Sequence, residues 1–205
     1  MYRDKIMEVI KAKTLVNTPV KSVKRLADKV EIANGAGQKA QYDYVLLASH
    51  ADETLKILTD ATPLEQEFLS KFPHHLNTGI LHTDEKVMPR LKQVWSSWNY
   101  RMEKSGDCST IYWMNNLQGV SSRRNYFVSI NDPGLINPNK ILWEGSYFHP
   151  LYSVASQQAQ MELHKINGAS RVFFAGAYFR YGFHEDGLWS GLQAARALSG
   201  EQLWA

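Results

Sequence analysis

RVFFAGAYFRYGFHEDGLWSGLQAARAL, residues 171–198, runs from an apolar strand through a glycine-punctuated loop into a helix. Val172 to Ala175 form an apolar run of strand length. Gly176 ends it. Tyr178, Phe179, Tyr181 and Phe183 surround Gly182 in the loop. Glu185 and Asp186 stand where a helix begins, and Asp186 is expected as its N-cap. Leu188, Gly191, Leu192, Ala195 and Leu198 then fall at helical spacing on one face. Gly187, Gly191, Ala194 and Ala195 are small enough to let that helix lie close to a sheet or a ligand. A strand feeding a loop that opens a helix is where α/β folds hold anionic groups, because the first N–H groups of the helix are unpaired and its dipole is positive there.

Working outward, the stretch needs a partner strand, and residues 44–49 (YVLLAS) supply one. A continuous apolar run is the mark of a strand buried on both faces. Before it, Val20–Leu26, Lys29–Ala33 and Lys39–Asp43 read as three short strands, the last two joined by the hairpin turn Asn34-Gly35-Ala36-Gly37. Tyr2–Lys13 has helical spacing. After His50 come helices over 52–58 and 63–72, the second opened by Thr62, Pro63 and Glu65. Strands are expected over 77–82, 93–100, 109–114, 126–130 and 142–148. A helix over 154–166 is capped by Asn167-Gly168.

Bulk composition narrows the function classes. Of 205 residues, 44% are hydrophobic and 21% charged, an ordinary globular balance. A net charge of +3 gives no case for nucleic acid. The single cysteine, Cys108, excludes an internal disulfide and fits a reducing, cytoplasmic compartment. No apolar run spans a bilayer. His74, His75 and His82 with Asp84 have neither helical His spacing nor a cysteine cluster, so no metal site is expected. Leu188 stands two positions before Ser190, where the Gly-x-Ser-x-Gly elbow of hydrolases needs glycine, so that elbow is missing.

Several long, irregular strings together resemble the flavin-containing amine oxidase superfamily, in its bacterial branch of NAD/FAD-binding oxidoreductases. They are Thr18-Pro19-Val20 with Val23, residues 43–52 (DYVLLASHAD), residues 81–84 (LHTD) with Met88-Pro89, residues 95–100 (WSSWNY), residues 173–176 (FFAG) and residues 182–191 (GFHEDGLWSG). The resemblance implies a mixed α/β (α+β) architecture: part of an FAD/NAD(P)-binding fold with a β-meander, interrupted by a strand-rich substrate domain. Residues 14–49 and 168–205 would form the C-terminal half of a discontinuous FAD-binding domain. Residues 50–167 would be the insertion and 1–13 a leading helix. FAD is the implied cofactor. Its expected contacts are Val20, whose backbone would meet the adenine, and Gly176, Ala177, Glu185, Asp186, Gly187 and Leu188.

Two departures qualify that likeness. The G-x-G-x-x-G fingerprint is missing, since the glycines after Asn34 make a hairpin turn with no following helix. Ala177 also stands where many relatives carry an acidic residue that binds the ribityl chain. The chain therefore looks like the C-terminal portion of such a flavoprotein, inactive alone and not retaining FAD. Self-association or a missing N-terminal half would complete it. A binding or assembly module derived from the same fold is the competing reading.

The residues themselves leave roles open. The helix start at Glu185, Asp186 and Gly187 suits either a flavin or an ordinary capped helix. Tyr178, Tyr181 and His184 are candidates for a substrate pocket, as are Trp98 and Tyr100, two apart and so on one strand face. Aromatics, however, pack cores more often than they line sites. The substrate would be a small molecule, and the aromatic middle region is compatible with an apolar one. No catalytic residue is identified.

Overall fold

A computed structural model describes residues 2–10, 14–103, 106 and 108–200. In chain order the elements are α1 (Tyr2–Val9), β1 (Val20–Arg25), β2 (Val30–Asn34), β3 (Lys39–Tyr42), β4 (Val45–Leu47), α2 (Ala51–Ile57), α3 (Pro63–Leu69) and β5 (His74–His82). There follow β6 (Trp98–Met102), β7 (Cys108–Trp113), α4 (Met114–Gln118), β8 (Phe127–Ile130), β9 (Ile141–Pro150), α5 (Val154–Glu162), β10 (Val172–Phe174) and α6 (His184–Ser199). The expected first helix is found over its first eight positions, and residues 11–13 lie outside the described residues. The stretch 93–97, expected in strand, contains a short 3-10 turn (Lys92–Val94), and the strand begins only at Trp98. The mixed α/β architecture is as the sequence indicates.

Two compact units divide the chain: Met1–Pro73 with Tyr152–Ala205, and His74–Leu151. Helices α2, α3 and α5, which the sequence reading places in the insertion, belong to the first unit. Its core explains why. Val23 and Val30 from the meander, Val45 and Leu47 from β4, and Val172 and Phe174 from β10 share one buried cluster with Ala51, Phe68, Leu69 and Ala159 from the helices and with Phe72 and Leu163 just beyond α3 and α5. Fully burying a side chain of this size contributes about 1.5–3 kcal/mol, so each helix gains most of its stability from this cluster rather than from its own short length.

The meander is antiparallel in the order β1-β2-β3. Asn34 closes its turn, its Oδ1 accepting from the Ala36 and Gln38 amides at 3.1 and 3.0 Å. Arg25 ties β1 to the helical layer. Its guanidinium reaches Asp60 Oδ1 at 3.2 Å and also pairs with Glu65, a fully buried carboxylate. The other oxygen of Glu65 accepts the Thr62 amide at 2.8 Å, and Thr62 Oγ1 accepts the Glu65 amide, completing the expected capping box of α3.

β4 and β10 pair in parallel, Val45 to Val172 and Leu47 to Phe174. Burial of β4 on both faces is not what forms. Val45 and Leu47 are buried, but Leu46 and Tyr44 are 45% and 49% exposed. The reason is local: the outer face of β10 is covered, with Phe173 set edge-on to Tyr44 at 6.0 Å, whereas no described residue closes over Leu46.

The second unit is a five-stranded antiparallel sheet in the order β6-β7-β8-β5-β9. Ile80, Ile111 and Phe127 from three strands pack with Val87, Met88 and Ile136 to form its core. Among the described residues no helix is long and apolar enough to cross a membrane.

Candidate functional site

The two parallel strands of the first unit end together, the Ala175 amide donating to the Leu47 carbonyl at 2.9 Å. The carboxyl ends of parallel strands are where open α/β sheets bind ligands. Two grooves open near these ends. One, of about 620 Å³, is lined by Ile6, Ala177, Gly182, Phe183, His184, Glu185, Gly187 and Leu188. The other, of about 600 Å³, is lined by Pro19, Val20, Leu46, Leu47, Ala48 and Ser49, with Glu53, Lys56 and Ile57 from α2.

The loop between β10 and α6 is held from several sides. Ala177 O accepts the amides of Arg180 and Gly182 at 3.1 and 3.2 Å. The Gln160 side-chain amide donates to Tyr178 O at 3.0 Å and also to Arg180 O. Ser190 Oγ accepts the Gly176 amide at 2.9 Å and donates to Gly187 O at 2.8 Å, pinning the strand end to the first turns of the helix. Glycine is required twice. A Cβ on Gly176 would lie 2.4 Å from the Tyr178 ring. Gly182 has φ +91°, and its Cβ would lie 2.6 Å from Tyr152 Oη.

The helix opens three residues earlier than the sequence suggests. Phe183 is the N-cap, and Asp186 is the third helical residue. Its buried carboxylate reaches back to accept the amides of Phe183 at 2.9 Å and Tyr181 at 3.2 Å. The correction has a simple cause: an acidic residue serves a helix start equally from the third position, where it satisfies amides ahead of the first turn. The amides of Asp186 and Gly187 are spent on Phe183 O, at 3.1 and 3.2 Å. The amides of His184 and Glu185 make no hydrogen bond with a described residue. They are the donors available at the positive end of this 16-residue helix. Arg180 Nε, 3.7 Å from Asp186 Oδ1, balances the carboxylate, and its guanidinium lies over the Trp189 and Tyr181 rings.

Of the residues named from the sequence, Ala177, His184, Glu185, Gly187 and Leu188 line the first groove and Val20 the second. Gly176 and Asp186 build the loop behind it rather than its surface. Tyr181 is 71% exposed. Tyr178 does not line a pocket: it is buried against Phe72 and Phe179, ring centroids 5.3 and 5.0 Å away, and burial pushes its hydroxyl pKa up. An aromatic four residues past a strand end is still within reach of the core beneath the strand, and here the core takes it. Trp98 and Tyr100 lie on the edge strand of the second unit, on one face as their spacing requires, and are 60% and 59% exposed.

Sequence reasoning overlooked Gln160, Arg180, Ser190 and Tyr152. Only Ser190 had a signal, since Gly187 and Ser190 are three apart on a helix and so meet. Tyr152 Oη is buried with no hydrogen-bond partner, and burial followed by the nearby charge of Asp186 raises its pKa.

The second unit contains a serine–histidine contact that mimics a nucleophile pair. His82 Nε2 is 2.8 Å from Ser129 Oγ. His82 Nδ1, however, accepts the Asp84 amide at 3.1 Å, so the ring proton sits on Nε2 and is donated to the serine. A ring in that tautomer cannot take the serine proton. Both side chains are fully buried, and Asp84 is spent on the amides of Lys86 and Asn137 and on Lys140. The cluster is a buried hydrogen-bond network that ties β5 to β8.

Three comparisons bear on this arrangement. By sequence alone, no curated protein matches. Solved structures match in fold: a CLA-producing fatty acid isomerase from P. acnes at 14% identity and TM-score 0.63, over 94% of this chain and 50% of that one. A triple mutant of putrescine oxidase matches at 8% identity and TM-score 0.64, over 97% and 52%. Cyclohexylamine oxidase from Brevibacterium oxydans matches at 13% identity and TM-score 0.61, over 89% and 48%. The chain thus spans about half the length of these structures. The family model described as flavin containing amine oxidoreductase matches residues 3–132, well over half of the sequence. With the meander, the parallel strand pair and the strand-rich second unit all in place, this chain belongs to the flavin-containing amine oxidoreductase family.

Proposed function

We propose that this chain is the C-terminal portion of an FAD-dependent oxidoreductase that takes a hydride from a C–N or C–C bond. The observation that carries the proposal is the pair of grooves near the carboxyl ends of β4 and β10, one of them opening on unpaired amides at the start of α6. The residues present fit part of FAD. Ala177, Glu185, Gly187 and Leu188 would hold its flavin end against the positive end of α6, and Val20 its adenine end. Gly187 is a cradle for it: a Cβ there would meet nothing within 4 Å. The diphosphate is not provided for, since no described loop has the glycine-rich turn that cradles it.

Bound FAD would supply the hydride acceptor. The chain's own residues do the rest. The α6 amides and dipole favour negative charge in the groove. Gly176 and Gly182, held by Ser190 and Gln160, fix the loop. Phe183 and Leu188, exposed by 70% and 58%, present an apolar wall that excludes water once covered. His184, which lines the groove at the start of α6, is assigned to substrate contact. The substrate is a small molecule, and the CLA-producing isomerase and the amine oxidases among the structural matches bracket its class from apolar to amine. Leu46 on β4 and Tyr44 just before it, both exposed, favour one further reading, in which the fold persists as an assembly module without flavin.

The visible spectrum tests the proposal. The chain alone should purify without a flavin band, and a form carrying the sequence encoded upstream should show one. In that longer form Gly187→Leu should lower flavin content at least tenfold with no loss of thermal stability, because the new side chain enters the groove rather than the core. No flavin in either form would overturn the proposal, and so would full flavin content in Gly187→Leu.

A further inference from the structure

The second unit has a polar hollow of about 380 Å³ that the flavin reading does not use. Its wall is the segment 121–126, and that wall is braced. The Asn115 side-chain amide donates to Ser121 O at 2.6 Å and Arg124 O at 2.7 Å, while Asn115 Oδ1 accepts the Tyr126 amide at 2.7 Å. Ser121 Oγ accepts the amides of Arg123 and Arg124 at 3.1 and 3.2 Å. Five hydrogen bonds thus hold two adjacent arginines at the rim of one cavity, at little further cost in chain entropy on binding.

The charge balance of the hollow then decides what it attracts. Its one carboxylate, Glu85, is already engaged: Oε1 accepts from Asn125 at 2.8 Å and Oε2 faces Lys92 Nζ at 3.3 Å. Asn125 is in turn held by Trp113 Nε1 at 2.9 Å. Neither Arg123 nor Arg124 makes an ion pair with a described residue, and the hydroxyls of Ser122 and Thr83, also at the hollow, make no hydrogen bond with one. Lys92 offsets Glu85, so the exposed Arg123 and Arg124, with Ser122 and Thr83, line the hollow with donor capacity that no described residue takes up. Neighbouring like charges repel, and an oxyanion between them removes the repulsion while matching the forked donor geometry of arginine.

We propose that this hollow binds a phosphate group, free or as the terminal phosphate of a nucleotide, through Arg123 and Arg124 with Ser122 and Thr83. The site is independent of the flavin assignment and is testable on the chain as it stands. Inorganic phosphate titrated into the protein and followed by calorimetry or by phosphorus NMR line-broadening should show saturable binding that weakens with added chloride. Arg123→Ala/Arg124→Ala should weaken it at least tenfold, and Ser122→Ala less. Lys21→Ala/Lys24→Ala, which removes the same charge from β1, should leave it unchanged. AMP binding more tightly than inorganic phosphate marks the nucleotide form, and equal binding the free ion, both dependent on the arginines. Non-saturable binding, or equal losses in the two double variants with both folded by circular dichroism, would overturn the proposal.

Discussion

Gly182 is the position at which the loop preceding α6 has least freedom, and Gly182→Ala shows how much of the groove depends on it. Two costs add. At φ +91° an L-residue lies in the left-handed region, which costs about 1–2 kcal/mol. The new Cβ would also meet Tyr152 Oη at 2.6 Å and ring carbons Cε2 and Cζ at 3.2 and 3.3 Å. Forced overpacking of this kind costs about 1–3 kcal/mol. The variant should therefore lose about 2–5 kcal/mol, read as the shift in the urea midpoint followed by far-UV circular dichroism. Tyr152→Phe separates the terms. Its hydroxyl is buried without a partner, so the single change should be neutral or stabilising by up to about 1 kcal/mol. In the double variant the closest clash is gone while the ring carbons and the backbone cost remain, so about 1 kcal/mol or more should return as a coupling energy. A Gly182→Ala variant within about 0.5 kcal/mol of the wild type would refute the reasoning, as would a double variant with purely additive losses.

Arg25→Met should destabilise the first unit by about 3–5 kcal/mol, because it leaves the buried Glu65 carboxylate uncompensated, and adding Glu65→Gln should recover part of that loss in the same denaturation assay. His82 predicts a pH dependence. Burial lowers its pKa below 6.5, so below that pH the unfolded chain binds a proton that the folded chain does not. Stability should accordingly fall as pH drops through 6.5, by about 1.4 kcal/mol per unit from this group. His82→Gln should flatten that part of the profile, and a carbon-bound imidazole proton of His82 that titrates above pH 6.5 by NMR would sink the account.

Legibility followed the range of the interactions. The meander, the turn at Asn34, the capping box of Thr62 and Glu65, and the strand–loop–helix at the end of the chain rest on neighbours in sequence, and all were readable from propensity and spacing. Leu46 was misread for the opposite reason. Its neighbours are apolar, but its exposure depends on which elements cover β4, and an apolar run carries no such information. Tyr178 is the same case in reverse: its loop spacing suggests a pocket, and Phe72, more than a hundred positions earlier, takes it into the core. Asp186 was placed at the right helix end and the wrong capping position, since acidic side chains satisfy the first amides from either.

The groove itself was legible as chemistry and not as shape. Glycines at 176, 182 and 187 announce close approach, but three different physical demands lie behind them: a ring packed on Gly176, a positive φ with a hydroxyl close by at Gly182, and open space at Gly187. Only the last makes room for a ligand. Substitution therefore separates scaffold from site. Alanine at 176 or 182 must disturb the fold, whereas a large side chain at 187 fills a cavity that the folded chain already leaves open. Gly187 lies beside the amides of His184 and Glu185, which make no hydrogen bond with a described residue, so a large side chain there tests directly whether the start of α6 receives a ligand.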